Sequence, residues 1–160
     1  MNKTASVITV SDRSFRRERE DLSGPAVAQM LRDAGFTIKS TQVLPDDQKQ
    51  ISSALRLCAD RDHVSLAVTT GGTGVAKRDL TPEATMAICD KIIPGVAEVM
   101  RSEGLKKTPM SPLSRAVCGI RGSTLILNLP GSPSGAVESL SAVMPLLQHA
   151  IELLAGNTEH

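Results

Sequence analysis

Apolar positions along this chain switch between two periods, and the order of the switches predicts an architecture. Residues 5–10 form a short β-branched run of the kind that packs as a strand. Ser23-Gly24-Pro25 then opens a stretch with Val27, Met30 and Leu31 at helical spacing, which Gly35 closes. Residues 36–44 resume as a strand. Pro45-Asp46-Asp47 leads into a helix carrying Ile51, Ala54, Leu55 and Cys58 on one face, with Asp47 and Gln50 placed to form a capping box. Residues 64–70 are a third strand, so strand and helix alternate and a mostly parallel sheet covered by helices is expected.

Two further helices are expected at about residues 82–90 and 95–103, followed by a proline-punctuated loop over 106–112. The pattern then changes. Residues 116–120 and 123–129 are apolar runs separated only by Arg121-Gly122, which predicts an antiparallel hairpin. A last helix carries Leu140, Val143, Met144, Leu147, Ile151 and Leu154 at three-and-four spacing. Without a linker, repeat or low-complexity tract, residues 1–160 are expected to form one α/β domain.

Charge and composition narrow the function. The net charge is +1, so no global basic field exists to attract nucleic acid, and any anion must be gripped locally. Two Phe with no Tyr or Trp remove the base-stacking platforms of single-strand binders, which argues against nucleic acid as a partner. Cys58, Cys89 and Cys118 are far apart and lack metal-ligand spacing, so they read as reduced, buried residues. No leader or long apolar stretch is evident, so a cytoplasmic protein without a membrane partner is expected.

The segment most suggestive of chemistry is VTTGGTGVAKRDLTPE, residues 68–83, where a strand runs into a glycine-dense turn. Gly71, Gly72 and Gly74 around Thr73 allow positive φ, so that amides can point inward at an anion. Arg78 and Asp79 follow, and Thr81-Pro82-Glu83 reads as an N-cap with proline at the first helical position. Walker and dinucleotide-binding spacings are both absent. His63, His149 and His160 occupy positions better suited to surface or packing than to catalysis.

Acidic residues recur where strands end: Asp12 after Ser11, Asp46 after the second strand, and Asp79 beyond the third. Carboxylates beside a phosphate cradle repel the ligand unless a divalent cation intervenes, so these three together predict a magnesium-nucleotide or magnesium-phosphate site. Each alone could equally cap a turn. Pro130, Gly131, Ser132 and Pro133 form a second turn whose amides, at the start of the last helix, offer another anion pocket. Ser114 with Arg115, and Arg121 with Gly122 and Ser123, add donors suited to phosphate, although Arg121-Gly122 also fits a bare hairpin turn.

Taken in order, TVSD at 9–12, DLSGP at 21–25, LPDD at 44–47, TTGGTG with RDLTPEAT, LSR at 113–115 and GIRGSTLILNLPGSP at 119–133 resemble the molybdopterin adenylyltransferases, the MogA and gephyrin G-domain family. The likeness spans nearly the whole chain. It implies a three-layer α/β/α fold, a mostly parallel mixed sheet with a C-terminal antiparallel hairpin, and a homotrimer. The implied activity is magnesium-assisted transfer of AMP from ATP to molybdopterin, with possible handover to a molybdenum-insertion protein. By the same resemblance Asp46 and Asp79 are the catalytic and magnesium-binding pair. Ser11, Asp12, Gly71, Gly72, Thr73, Gly74, Pro82 and Glu83 are then expected at the nucleotide, and Ser114, Arg115, Gly119, Arg121, Gly122, Ser123, Pro130, Gly131, Ser132 and Pro133 at the pterin. A MoaB-type protein that binds pterin without adenylylating it is the alternative. Two departures stand out: residues 14–20, SFRRERE, are more charged than the family's usual turn, and Ser132 replaces an asparagine or glutamine.

Overall fold

A computed structural model describes residues 1–158, which leaves His160 outside the described residues. Six strands, β1 (Thr4–Val10), β2 (Thr37–Leu44), β3 (Leu66–Thr70), β4 (Lys91–Ile92), β5 (Cys118–Arg121) and β6 (Thr124–Leu129), form one sheet in the order β2-β1-β3-β6-β5-β4. β2, β1, β3 and β6 are mutually parallel, while β5 and β4 continue antiparallel, so the sheet is mixed as expected. Among the described residues the α-helices are α1 (Asp12–Phe15), α2 (Ser23–Asp33), α3 (Gln48–Arg56), α4 (Thr81–Met86), α5 (Pro94–Gly104) and α6 (Pro133–Leu154). A π-helical turn, Leu57–Arg61, extends α3.

Strand alternation sorts the helices onto two faces. Ala5, Val7, Leu66, Val68, Leu125 and Leu127 point to the side covered by α2, α5 and α6. Ile8, Val10, Ala67 and Ile126 point to the side covered by α3 and α4. Because successive strand side chains face opposite ways, near-continuous apolar runs are what a sheet covered on both faces requires. Helix α6 supplies the largest lid, burying Leu140, Val143, Leu147 and Ile151, each worth roughly 1.5–3 kcal/mol against exposure.

Among the buried polar residues, which are otherwise serines and threonines, one amide stands out. Asn128 is fully buried on β6, donating to Thr69 Oγ1 at 3.0 Å and Thr85 Oγ1 at 2.9 Å while accepting from Val117 N–H at 3.1 Å. With its partners in place it ties α4 to the sheet. Cys58 and Cys118 are buried as expected, whereas Cys89 is half-buried; none is bonded to another. Burial pushes the Cys89 thiol up to about 11 and the Cys118 thiol up to about 12.

The structure departs from the expected boundaries at two places. The helix expected over 82–90 ends at Met86, because residues 91 and 92 are drawn out to pair with β5 as β4. Thr81 is not an N-cap: Leu80 holds that position without a side-chain bond, and Thr81 Oγ1 donates instead to Gly71 O at 2.9 Å. At α3, by contrast, Asp47 caps as expected, accepting from Gln50 N–H at 2.9 Å.

Candidate active site

Loops after β1, β2, β3 and β6 share the carboxyl edge of the parallel strands, where they enclose a cleft of about 840 Å³. Asp46 and Asp79 both line it, with Gly71 and Gly72 on its floor. A Cβ placed on Gly72 would lie 3.2 Å from Asp46 Oδ1, and one on Gly74 would lie 2.8 Å from Asp79 Oδ2, so the two carboxylates sit over one glycine loop. Burial, and then the charge of Asp79, push the Asp46 carboxyl above its ordinary value. Asp46 is held by a reciprocal pair of bonds: its N–H donates to Asp12 Oδ1 at 3.0 Å and its Oδ2 accepts from Asp12 N–H at 3.2 Å. Asp12 also pairs with Arg78.

The loop itself is fastened from below. Gly71 and Gly72 have φ of +95° and +67°, a region that side-chain-bearing residues rarely adopt. Gly71 N–H donates to Leu129 O at 3.0 Å, and Thr81 N–H to Gly72 O at 3.2 Å. The amides of Gly72, Thr73 and Gly74 find no backbone acceptor among the described residues. Of these three residues Gly72 lines the cleft, while Thr73 and Gly74, also expected at the nucleotide, lie behind its lining.

Arg115 provides most of the fastening. Its backbone N–H donates to Thr73 O at 2.8 Å, its Nε to Gly74 O at 2.7 Å and its Nη2 to Asp79 O at 2.7 Å, while Nη1 pairs with Glu83. That guanidinium holds the Glu83 carboxyl below its ordinary value. Arg115 and Glu83 therefore brace the loop rather than line the cleft, and Pro82 is buried in the first turn of the helix behind them. This bracing was not visible in the sequence, where an arginine near a phosphate cradle reads as a ligand.

Ser11, Asp12, Gly131, Ser132 and Pro133 all line the cleft. Ser132 also caps α6, accepting from Gly135 N–H at 3.1 Å. A second cleft, about 590 Å³, is lined by Ser114, Pro130 and Ser132, with Lys106 and Lys107 from the loop after α5. The two clefts meet across the turn at 130–132. Gly119 is buried in β5, where a Cβ would strike Cys89 Sγ at 2.6 Å, so its smallness serves packing.

Arg121, Gly122 and Ser123 are not brought to either cleft. Because β6 runs parallel to β3, with Leu125 opposite Leu66, the turn preceding β6 lies at the amino end of the parallel strands. At about 3.3 Å per residue it stands roughly 20 Å from the cleft. Arg121 binds there to Asp60, with bonds of 2.9 and 2.7 Å, and to Ile88 O at 2.9 Å, while Gly122 N–H donates to Asp90 at 2.7 Å. This triplet is a hairpin anchor.

Paired carboxylates over a glycine loop at the carboxyl edge of a mixed sheet define the class: an α/β protein with its candidate site where the parallel strands end. The sequence profile of a family described as "Probable molybdopterin binding domain" matches residues 6–149, and the chain belongs to that family. It is 40% identical over 155 residues to the molybdopterin adenylyltransferase of Helicobacter pylori J99, covering 94% of this chain and 87% of that one. The Escherichia coli K12 molybdopterin adenylyltransferase is 40% identical over 139 residues, covering 86% and 71% respectively. The molybdopterin biosynthesis enzyme MoaB of Thermus thermophilus superposes with a TM-score of 0.90 at 51% identity, over 96% of this chain and 97% of that one.

Proposed function

We propose that this protein transfers AMP from ATP to the terminal phosphate of molybdopterin, releasing pyrophosphate, as a step of molybdenum cofactor biosynthesis. The observation that carries the reading is the convergence of Asp46 and Asp79 over amides that have no backbone acceptor among the described residues. In this arrangement the glycine loop, through the Gly72 amide, holds a nucleotide phosphate, and the second cleft, with Ser114 and the lysines, holds the pterin. The turn at 130–132, common to both clefts, is where the two substrates meet. The chemistry needs no protein nucleophile: it needs both phosphates held in line and the departing charge neutralised.

The acid pair fits a divalent cation. The charge of Asp79 adds to burial in raising the Asp46 carboxyl, a repulsion that a cation between them would relieve, and magnesium requires only one or two protein carboxylates. Asp46 and Asp79 would hold it, and it would supply charge neutralisation at the phosphates.

The deciding experiment mixes purified protein with ATP, magnesium and molybdopterin and measures pyrophosphate. Release dependent on molybdopterin is the expected result. Pterin binding without release would support the second reading, a MoaB-type binding protein; MoaB is the name carried by the Thermus thermophilus structure to which the chain is 51% identical. We further infer a homotrimer in the cytoplasm that hands its product to a molybdenum-insertion protein. Exposed Val75, Met86, Ile92, Leu105, Met110 and Leu113 supply apolar surface for self-association, and unpaired thiols suit a reducing compartment. Sedimentation as a monomer at micromolar concentration would remove the trimer.

A further inference from the structure

The charged segment at residues 14–20 comes back over the first cleft. Arg17 adopts a left-handed φ of +60°, and backbone bonds from Arg17 N–H to Ser14 O at 3.1 Å and from Glu18 N–H to Arg13 O at 2.8 Å turn the chain inward. The result is that Arg13, Arg16 and Arg19 all line the cleft. Their pairing is unequal. Arg16 is spent on Glu18, with bonds of 2.9 and 3.3 Å, and Arg78 on Asp12. Arg13 and Arg19 make no ion pair with any described residue. Of the acids on the same wall, Asp21 is spent on Gly24 N–H at 3.0 Å and Thr9 Oγ1 at 2.8 Å, which leaves Glu20 without such partners.

Sheet order gives these two cations a direction. β3, which ends in the glycine loop, lies between β1 and β6, so the loop after β1 and the turn after β6 stand on opposite sides of the cradle. We propose that Arg13 and Arg19 grip the β- and γ-phosphates of the nucleotide and neutralise the pyrophosphate as it departs. This rests on the adenylyl-transfer reading above. The pterin phosphate approaches from the β6 side, across residues 130–132. An oxygen of that phosphate forms a bond to the α-phosphorus of ATP, the bond from that phosphorus to the bridging β-phosphate oxygen breaks, and pyrophosphate leaves with the electron pair. In-line displacement puts the leaving group opposite the attacking oxygen, on the β1 side. Arginine's planar fork suits a diphosphate held by two oxygens at once.

The test compares ATP, AMP and inorganic pyrophosphate by titration calorimetry against the parent chain, Arg13→Gln/Arg19→Gln and Arg19→Lys. The double variant is expected to weaken ATP and pyrophosphate by about 10- to 100-fold while changing AMP by less than about 3-fold. Arg19→Lys should fall between, keeping charge without the fork. In turnover, KM for ATP and the inhibition constant of pyrophosphate should rise together. An unchanged ATP-to-AMP affinity ratio overturns the phosphate grip, as does equal loss for both nucleotides, which would mean a general disturbance of the loop. A parent chain that binds ATP normally but adenylylates nothing removes the transfer reading while leaving the grip measurable. A parent chain that binds no ATP removes both.

Discussion

Replacing Asp46 with asparagine should lower pyrophosphate release by about two orders of magnitude or more while leaving the protein folded. The substitution keeps the size of the side chain and an oxygen that can still accept from Asp12 N–H, so the reciprocal link between the loops after β1 and β2 survives. What it removes is one of two negative charges over the glycine loop, and with it the grip on any divalent cation there. Asp79 is the less clean test, because its Oδ2 also accepts from Ala76 N–H at 2.9 Å and so shapes the loop it serves. Steady-state pyrophosphate assays with saturating ATP, beside a thermal melt of each protein, separate the two effects. An Asp46→Asn protein that turns over within about threefold of the parent would leave Asp46 as a turn residue and nothing more.

The position of that carboxylate was legible because the rule behind it is topological: in a parallel sheet, residues that follow strands gather at one edge. Strands end just before Ser11, Pro45 and Gly71, and their acids and glycines arrive together as the sequence implied. The hairpin at 121–123 shows where the same reasoning stopped. Two apolar runs with a short turn specify antiparallel pairing, yet which edge the turn occupies depends on β6 lying parallel to β3, a long-range choice without a local signature. Arg115 and Glu83 were hidden for a related reason. Thirty-two residues separate them, and only the fold reveals that the arginine spends its donors on loop carbonyls. Asn128 sits inside an apolar strand run, where a single amide gives no hint that three partners await it. The π-helical turn after α3 likewise leaves the helical spacing of Ile51, Leu55 and Cys58 undisturbed.

Arg115→Lys should damage both stability and turnover, although Arg115 lines neither cleft. A lysine keeps the charge but cannot reach Gly74 O, Asp79 O and Glu83 together, since those bonds use three different nitrogens of one rigid plane. The loss of two charge-assisted bonds is expected to cost roughly 2 kcal/mol in urea unfolding, at the low end because the pair is about one-third exposed. Turnover should fall by about tenfold or more, because the carbonyls of Gly74 and Asp79 are the points from which the cradle and its acid are hung. Arg115→Met goes further, leaving Glu83, whose Oε2 already lacks a partner, without a countercharge. It also changes the acid response in a defined direction. Arg115 lowers the Glu83 carboxyl below its ordinary 4.5, so in the parent this pair contributes stability above that value and loses it as pH falls through the lowered one. In Arg115→Met that part of the acid-dependent loss should vanish, so the parent and variant unfolding curves converge as the pH is lowered. Curves that stay equally separated from about pH 7 to about pH 3 would show that Arg115 stabilises the loop without its ion pair to Glu83.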